Sequence, residues 1–135
     1  FQAVIDAQNS DCVFIGGKSM GGRVASMIAE RNFEAGRIRG LVCLGYPFHP
    51  PGKPEKLRTS HLMTFKAPAL VVQGENDPLG GRGEVEAYGL PGNFNLAWIA
   101  AGNHDLTPPK RTGVTREQAW QIVGDCVISF IHKYK

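Results

Sequence analysis

The sequence predicts an α/β domain: a parallel sheet with helices on both faces. Three observations carry this. Short apolar runs recur at Cys12–Ile15, Leu41–Leu44 and Ala69–Val72, followed by a fourth strand pattern at Asn95–Ala100. The first three have no polar alternation, as expected of strands covered on both sides. Glycine follows each within a few residues, and the longer stretches between them suit helices and crossovers rather than hairpin turns.

Taken in order, Phe1, Val4 and Ile5 have the i, i+3, i+4 spacing of the last turns of an amphipathic helix. The chain thus opens in mid-element and with Phe rather than Met, as a fragment would, so the lack of a signal peptide decides nothing. Asn9-Ser10-Asp11 is a turn cluster before the first strand, which ends at Gly16-Gly17. Met20 to Arg31 reads as a helix with Val24, Ala25, Ile28 and Ala29 on its buried face. After the second strand, Tyr46 to Lys66 carries four prolines and is expected to be irregular. Its place after a strand makes it a candidate pocket border, with Tyr46, Phe48 and Leu62 as walls. Lys53, Lys56 and Arg58 there read as a solvated loop. A short helix is expected at Glu84 to Tyr88, and a loop from Ala101 to Gly113. In the last element Ala119, Trp120, Val123, Cys126, Val127, Phe130, Ile131 and Tyr134 share one helical face, with Thr115 and Gln118 at capping-box spacing before it. Trp98 and Trp120 read as core.

Composition narrows the function classes. The 135 residues hold 15 basic and 12 acidic side chains, a net charge of +3 with no basic stripe, so no nucleic-acid partner is expected. No run approaches the ~20 apolar residues of a membrane helix, so no membrane partner is expected. Cys12, Cys43 and Cys126 have neither paired nor metal-ligand spacing. They read as reduced, buried small hydrophobes of a cytoplasmic protein, with no metal site. His49, His61 and His132 read as ordinary exposed or half-buried histidines.

In a sheet of this kind ligands bind beyond the carboxyl ends of the strands. After the first strand stands Gly17-Lys18-Ser19-Met20-Gly21, which fits G-x-S-x-G between strand and helix. A serine on such a strained turn stands clear of the sheet. Side chains two positions before and after it would collide, so glycine is expected to be required at Gly17 and Gly21. The Met20 backbone N–H would face a developing oxyanion. Gly17-Lys18-Ser19 also resembles the tail of a phosphate-binding loop, but Cys12 stands where that motif needs its first glycine. After the third strand comes Gly74-Glu75-Asn76-Asp77-Pro78, and after the fourth Gly102-Asn103-His104-Asp105. Serine needs a base to take its proton, and the base needs an acid to fix its tautomer. Ser19 as nucleophile, His104 as base and Asp77 as acid meet that requirement in chain order. Each alone has a plainer reading: a tight strand-to-helix turn, a surface loop histidine, a turn-forming aspartate. Asp105 is a second candidate acid, but adjacency turns it away from the His104 ring.

The runs Gly16 to Arg23, Gly45-Tyr46-Pro47-Phe48-His49-Pro50-Pro51-Gly52-Lys53-Pro54, Gln73 to Pro78 and Gly102 to Asp105 resemble one α/β-hydrolase family. It is shared by small bacterial hydrolases, a testis-expressed animal protein and the hydrolase-like domain of an NSL chromatin-complex subunit, and is related to dienelactone hydrolases. Those enzymes carry a cysteine nucleophile, where this chain has Ser19. The resemblance implies the α/β-hydrolase fold, with residues 1–135 as the carboxyl-terminal portion of the domain, from the nucleophile elbow to the last helix. The earlier strands and a second oxyanion donor would lie upstream. It implies a serine hydrolase acting on a small acyl substrate without a cofactor. The alternative is a catalytically silent, hydrolase-like module that binds a protein partner.

Overall fold

Four strands, β1 (Phe14–Lys18), β2 (Gly40–Leu44), β3 (Ala69–Gly74) and β4 (Phe94–Ile99), lie side by side in chain order in a computed structural model describing residues 1–135. All three pairings are parallel, with Phe14 opposite Gly40, Leu41 opposite Ala69, and Ala69 opposite Phe94. Helices α1 (Gln2–Asp6), α2 (Met20–Glu34), α3 (Arg82–Ala87) and α4 (Arg116–Tyr134) complete the fold. Parallel pairing sends the carboxyl ends of all four strands to one edge of the sheet.

β3 is buried along its whole length, and its alternate residues serve two cores. Ala69 and Val71 pack with Ala25 and Ala29 of α2 and Val85 of α3. Leu70 and Val72 pack with Ala119, Val123 and Phe130 of α4. Helices therefore cover both faces, as the apolar runs predict. The expected capping box holds the start of α4. Gln118 N–H donates to Thr115 Oγ1 at 3.1 Å and Thr115 N–H to Gln118 Oε1 at 2.9 Å. Such a cap contributes about 1 kcal/mol. No helix is long and apolar enough to cross a membrane.

Several expectations are corrected. β1 begins at Phe14 and runs on to Lys18, because its ladder partner starts at Gly40. Cys12 falls before the sheet and is exposed, Cys126 is half-buried, and only Cys43 is a buried hydrophobe. In α2 the buried set is Gly22, Ala25, Ser26, Ala29 and Asn32, which leaves Val24 42% exposed. These small residues bring the helix close to β1 and β2. The third helix begins at Arg82, not Glu84. Tyr46, Phe48 and Leu62 are core rather than pocket wall, each no more than 1% exposed. His49 is buried too, with Nδ1 2.8 Å from the Pro50 carbonyl oxygen and Nε2 2.8 Å from a Glu84 carboxylate oxygen. Trp120 lies at the rim, 49% exposed, where its Nε1–H donates to the Asp105 carbonyl and the Arg116 guanidinium covers its ring. Trp98 is half-buried beneath the Arg82 guanidinium.

Candidate active site

Ser19 turns the chain from β1 into α2 with φ 51° and ψ −119°. A non-glycine residue at positive φ costs about 1–3 kcal/mol and persists only where its surroundings enforce it. Here the Ser19 N–H donates to the Leu44 carbonyl at 2.9 Å, and the Ser19 carbonyl accepts from Arg23 N–H at 3.1 Å. The crowding at this elbow differs from the expected pattern. A Cβ on Gly17 would lie 2.7 Å from the Gly21 carbonyl carbon, and one on Gly22 would lie 2.7 Å from the Gly17 carbonyl oxygen. A Cβ on Gly21 itself would meet nothing within 4 Å. Gly17 and Gly22, not Gly17 and Gly21, make the close approach.

Asp77 follows β3, and its side chain is wholly buried. Oδ1 accepts the Leu79 N–H at 2.8 Å, while Oδ2 accepts Gln73 Nε2–H at 3.1 Å and faces His104 Nδ1 at 2.8 Å. Gln73 is itself fully buried at the end of β3. Its Oε1 accepts the Tyr46 N–H at 2.8 Å, and Nε2 also reaches the carbonyls of Tyr46 and Gly80, at 3.1 and 3.0 Å. One amide thus ties the turn after β2 to the turn that carries Asp77.

His104 rides on the loop after β4. Asn76 N–H donates to the Gly102 carbonyl, and Asn103 Oδ1 accepts from the N–H groups of Asp105 and Thr107. Glu75 pins the start of this loop by accepting the Ala101 N–H at 3.0 Å while it pairs with Arg82 at 2.9 Å. The Ala101 N–H and the Arg82 guanidinium hold its carboxyl below the usual carboxylate range. Gly45 lies against the same loop with φ +64°, and a Cβ there would come within 2.9 Å of the His104 carbonyl oxygen.

These supports bring His104 Nε2 to 2.8 Å from Ser19 Oγ. A carboxylate facing Nδ1 puts the ring proton there and leaves Nε2 to accept the serine hydroxyl proton. Ser19, His104 and Asp77 thus form one hydrogen-bonded chain from three strand ends. The Met20 N–H lies in the first turn of α2, where no intrahelical acceptor exists. Asp105 points away, as its adjacency predicts, and pairs with Lys18 Nζ at 2.7 Å, which holds its carboxyl below the usual range. Lys18, the lysine of the phosphate-loop resemblance, is engaged by that pair, and Phe14 to Lys18 run as strand. No three side chains of His, Cys, Asp or Glu gather in a way that could hold a metal ion.

Sequence reasoning missed Gln73 and Glu75. Gln73 carried a signal: a polar side chain directly after a fully apolar strand run has to find partners once buried. Glu75 carried none beyond its place in the turn.

A family model described as an alpha/beta hydrolase domain matches residues 1–132. A solved alpha-beta serine hydrolase homologue from Coxiella burnetii is similar with a TM-score of 0.58 at 16% identity, over 86% of this chain and 48% of that one. The esterase domain of a Rhodothermus marinus protein is similar with a TM-score of 0.52 at 12% identity, over 76% of this chain and 56% of that one. The chain therefore spans about half the length of these solved structures. At such identities the likeness is one of fold.

Proposed function

The chain belongs to the alpha/beta hydrolase domain family, and from that premise we propose that it is a serine hydrolase cleaving an ester or related acyl bond. The observation that carries the reading is the Ser19–His104–Asp77 chain, with both bonds at 2.8 Å and the serine held at positive φ. The fold alone would not support it, since many functions share one fold. The motif resemblance to small bacterial hydrolases related to dienelactone hydrolases belongs to the same reading.

In this mechanism His104 Nε2 takes the Ser19 hydroxyl proton as Oγ attacks the acyl carbon. Asp77 holds the ring in the tautomer that can accept and stabilises the imidazolium that forms. Charge then gathers on the former carbonyl oxygen, and the Met20 N–H donates to it with the helix dipole behind it. His104 returns the proton to the leaving alcohol and a Ser19 acyl ester remains. Water, deprotonated by the same ring, then attacks the acyl carbon and releases the acid and Ser19.

Fluorophosphonate labelling read by intact mass tests this. One adduct is expected on the wild-type protein and none on Ser19→Ala, with His104→Ala slowing labelling by at least a hundredfold, as loss of a positioned base does. A folded wild-type protein that takes no adduct, or an adduct that survives Ser19→Ala, refutes the reading.

A further inference from the structure

One turn along α2 from Ser19 lies a second group of polar side chains that the mechanism leaves unused. The Arg23 N–H bonds to the Ser19 carbonyl, which places the two residues about 6 Å apart along the helix axis. The Arg23 side chain enters a cavity of about 390 Å³ that it lines with Met27, Leu57, Arg58, Ser60 and His61. Arg23 Nε is buried and has no hydrogen-bond partner, one of only two buried side-chain polar atoms in the chain left so. A buried donor on a charged group costs more than a neutral one when unpaired, so native proteins pair it with something.

Nothing in the protein supplies that partner. No acidic residue lines the cavity, and neither Arg23 nor Arg58 takes part in an ion pair. Arg23 and Arg58 therefore line one cavity without a counter-charge, together with Ser60. Arg58 is fixed there by its own backbone: its N–H donates to the Phe48 carbonyl at 2.8 Å and its carbonyl accepts the Tyr46 hydroxyl at 2.9 Å. His61 Nε2 lies 2.9 Å from Ser26 Oγ, whose hydroxyl lies 2.6 Å from the Arg23 carbonyl it donates to. The ring thus donates through Nε2 and keeps Nδ1 for a further partner. Burial and the charge of Arg23 hold its pKa below the ordinary histidine value. Met27 and Leu57 on the cavity wall are 64% and 47% exposed. Apolar surface beside unpaired guanidinium groups suits an alkyl chain that ends in an anion.

We propose that this cavity binds the carboxylate or phosphate at the far end of an acyl substrate whose scissile bond sits at Ser19. The inference rests on the hydrolase reading and adds to it a substrate class: acyl compounds with a terminal oxyanion. Guanidinium groups suit both anions, since their paired N–H donors match two oxygens at once.

Two measurements test it separately from the hydrolase reading. The first uses two esters of one alcohol that differ only at the end of the acyl chain, a carboxylate in one and a methyl group in the other. Wild-type protein is expected to show a KM about ten- to a hundredfold lower for the carboxylate ester, the factor that a charge-assisted hydrogen bond or two supplies. Arg23→Met and Arg58→Met each erase that preference, and Arg111→Gln, which removes a charge outside the cavity, keeps it. The second measurement needs no turnover: the His61 ring is titrated by NMR with and without inorganic phosphate. Phosphate is expected to raise its titration midpoint saturably, and Arg58→Met removes the response. Equal KM values for the two esters, or a His61 ring indifferent to phosphate, overturns the proposal. Failure of Ser19 to label sinks the hydrolase reading and the substrate assignment with it, while the phosphate titration still decides whether the cavity takes an oxyanion.

Discussion

Gln73→Met asks how much of the site depends on one buried amide. Methionine keeps the length and most of the volume but makes none of the four hydrogen bonds. The Tyr46 N–H loses its acceptor in a residue only 1% exposed, and the buried Gly80 carbonyl loses its donor. A buried group left unpaired costs about 1–3 kcal/mol. These two losses together come to roughly 2–6 kcal/mol, a large part of the 5–15 kcal/mol that holds a typical domain folded. The Asp77 turn is also freed from the turn after β2, so the His104 ring loses its fixed partner. Urea unfolding is expected to show the loss of stability, and fluorophosphonate labelling of the folded fraction should slow about tenfold or more. Gln73→Glu separates positioning from mere packing. Its carboxyl can still accept the Tyr46 N–H, but a second negative charge then faces Asp77, and two such charges about 4 Å apart repel by about 4 kcal/mol at an effective dielectric near 20. The new carboxyl therefore holds its proton more tightly folded than unfolded. Its favourable contribution is complete below the unfolded value of about 4.3 and disappears as pH rises through the raised folded value. The variant is expected to be more stable, relative to wild type, at pH 4 than at pH 7. A Gln73→Met protein that unfolds within about 0.5 kcal/mol of wild type and labels at the same rate would refute this reasoning, since surface-like tolerance of that size excludes a buried network.

Two further predictions rest on packing. Gly22→Ala puts a methyl 2.7 Å from the Gly17 carbonyl oxygen and 3.3 Å from Cys43, so it is expected to cost about 1–3 kcal/mol and to slow Ser19 labelling. Gly21→Ala enters open space in a helix and should stabilise by about 0.5–1 kcal/mol; denaturation midpoints in the reverse order would sink the assignment of the crowded glycine. Burial pushes the Cys43 thiol up to about 12, whereas Cys12 is exposed, so iodoacetamide at pH 8 should modify Cys12 and leave Cys43 free in the folded protein. Between the ordinary value of 9.0 and about 12 the native state keeps a proton that the unfolded chain releases, so this thiol's contribution to stability falls as pH rises. The slope is at most about 1.4 kcal/mol per pH unit, and Cys43→Ala should flatten it; identical slopes for wild type and variant would show that the thiol is not buried as described.

What was legible in the sequence was local, and what was not depends on residues far apart in the chain. The apolar runs at Leu41–Leu44 and Ala69–Val72 declare buried parallel strands because their period is set by their own residues. Thr115 and Gln118 declare a helix start for the same reason: both halves of the box lie within one turn. Ser19, Asp77 and His104 were legible as candidates because a parallel sheet sends every strand end to one edge, so residues 58 and 27 positions apart must become neighbours. The failures have the opposite character. Whether Cys12 lies inside β1 depends on where β2 begins, and the Phe14–Gly40 register places it outside. Whether Gly21 or Gly22 is the crowded glycine depends on which side of the first turn of α2 faces Gly17 and Cys43, and G-x-S-x-G does not contain that rotation. Gln73, His49 and the Nε of the half-buried Arg23 are harder still, because a buried polar atom is explained only by its partners. Gln73 finds four and His49 finds two, so their burial is resolved within the chain. Arg23 Nε finds none. The same accounting that makes Gln73 a structural clamp therefore leaves Arg23 Nε with a donor to satisfy, and the proposed oxyanion site is argued from that by a criterion independent of the serine beside it.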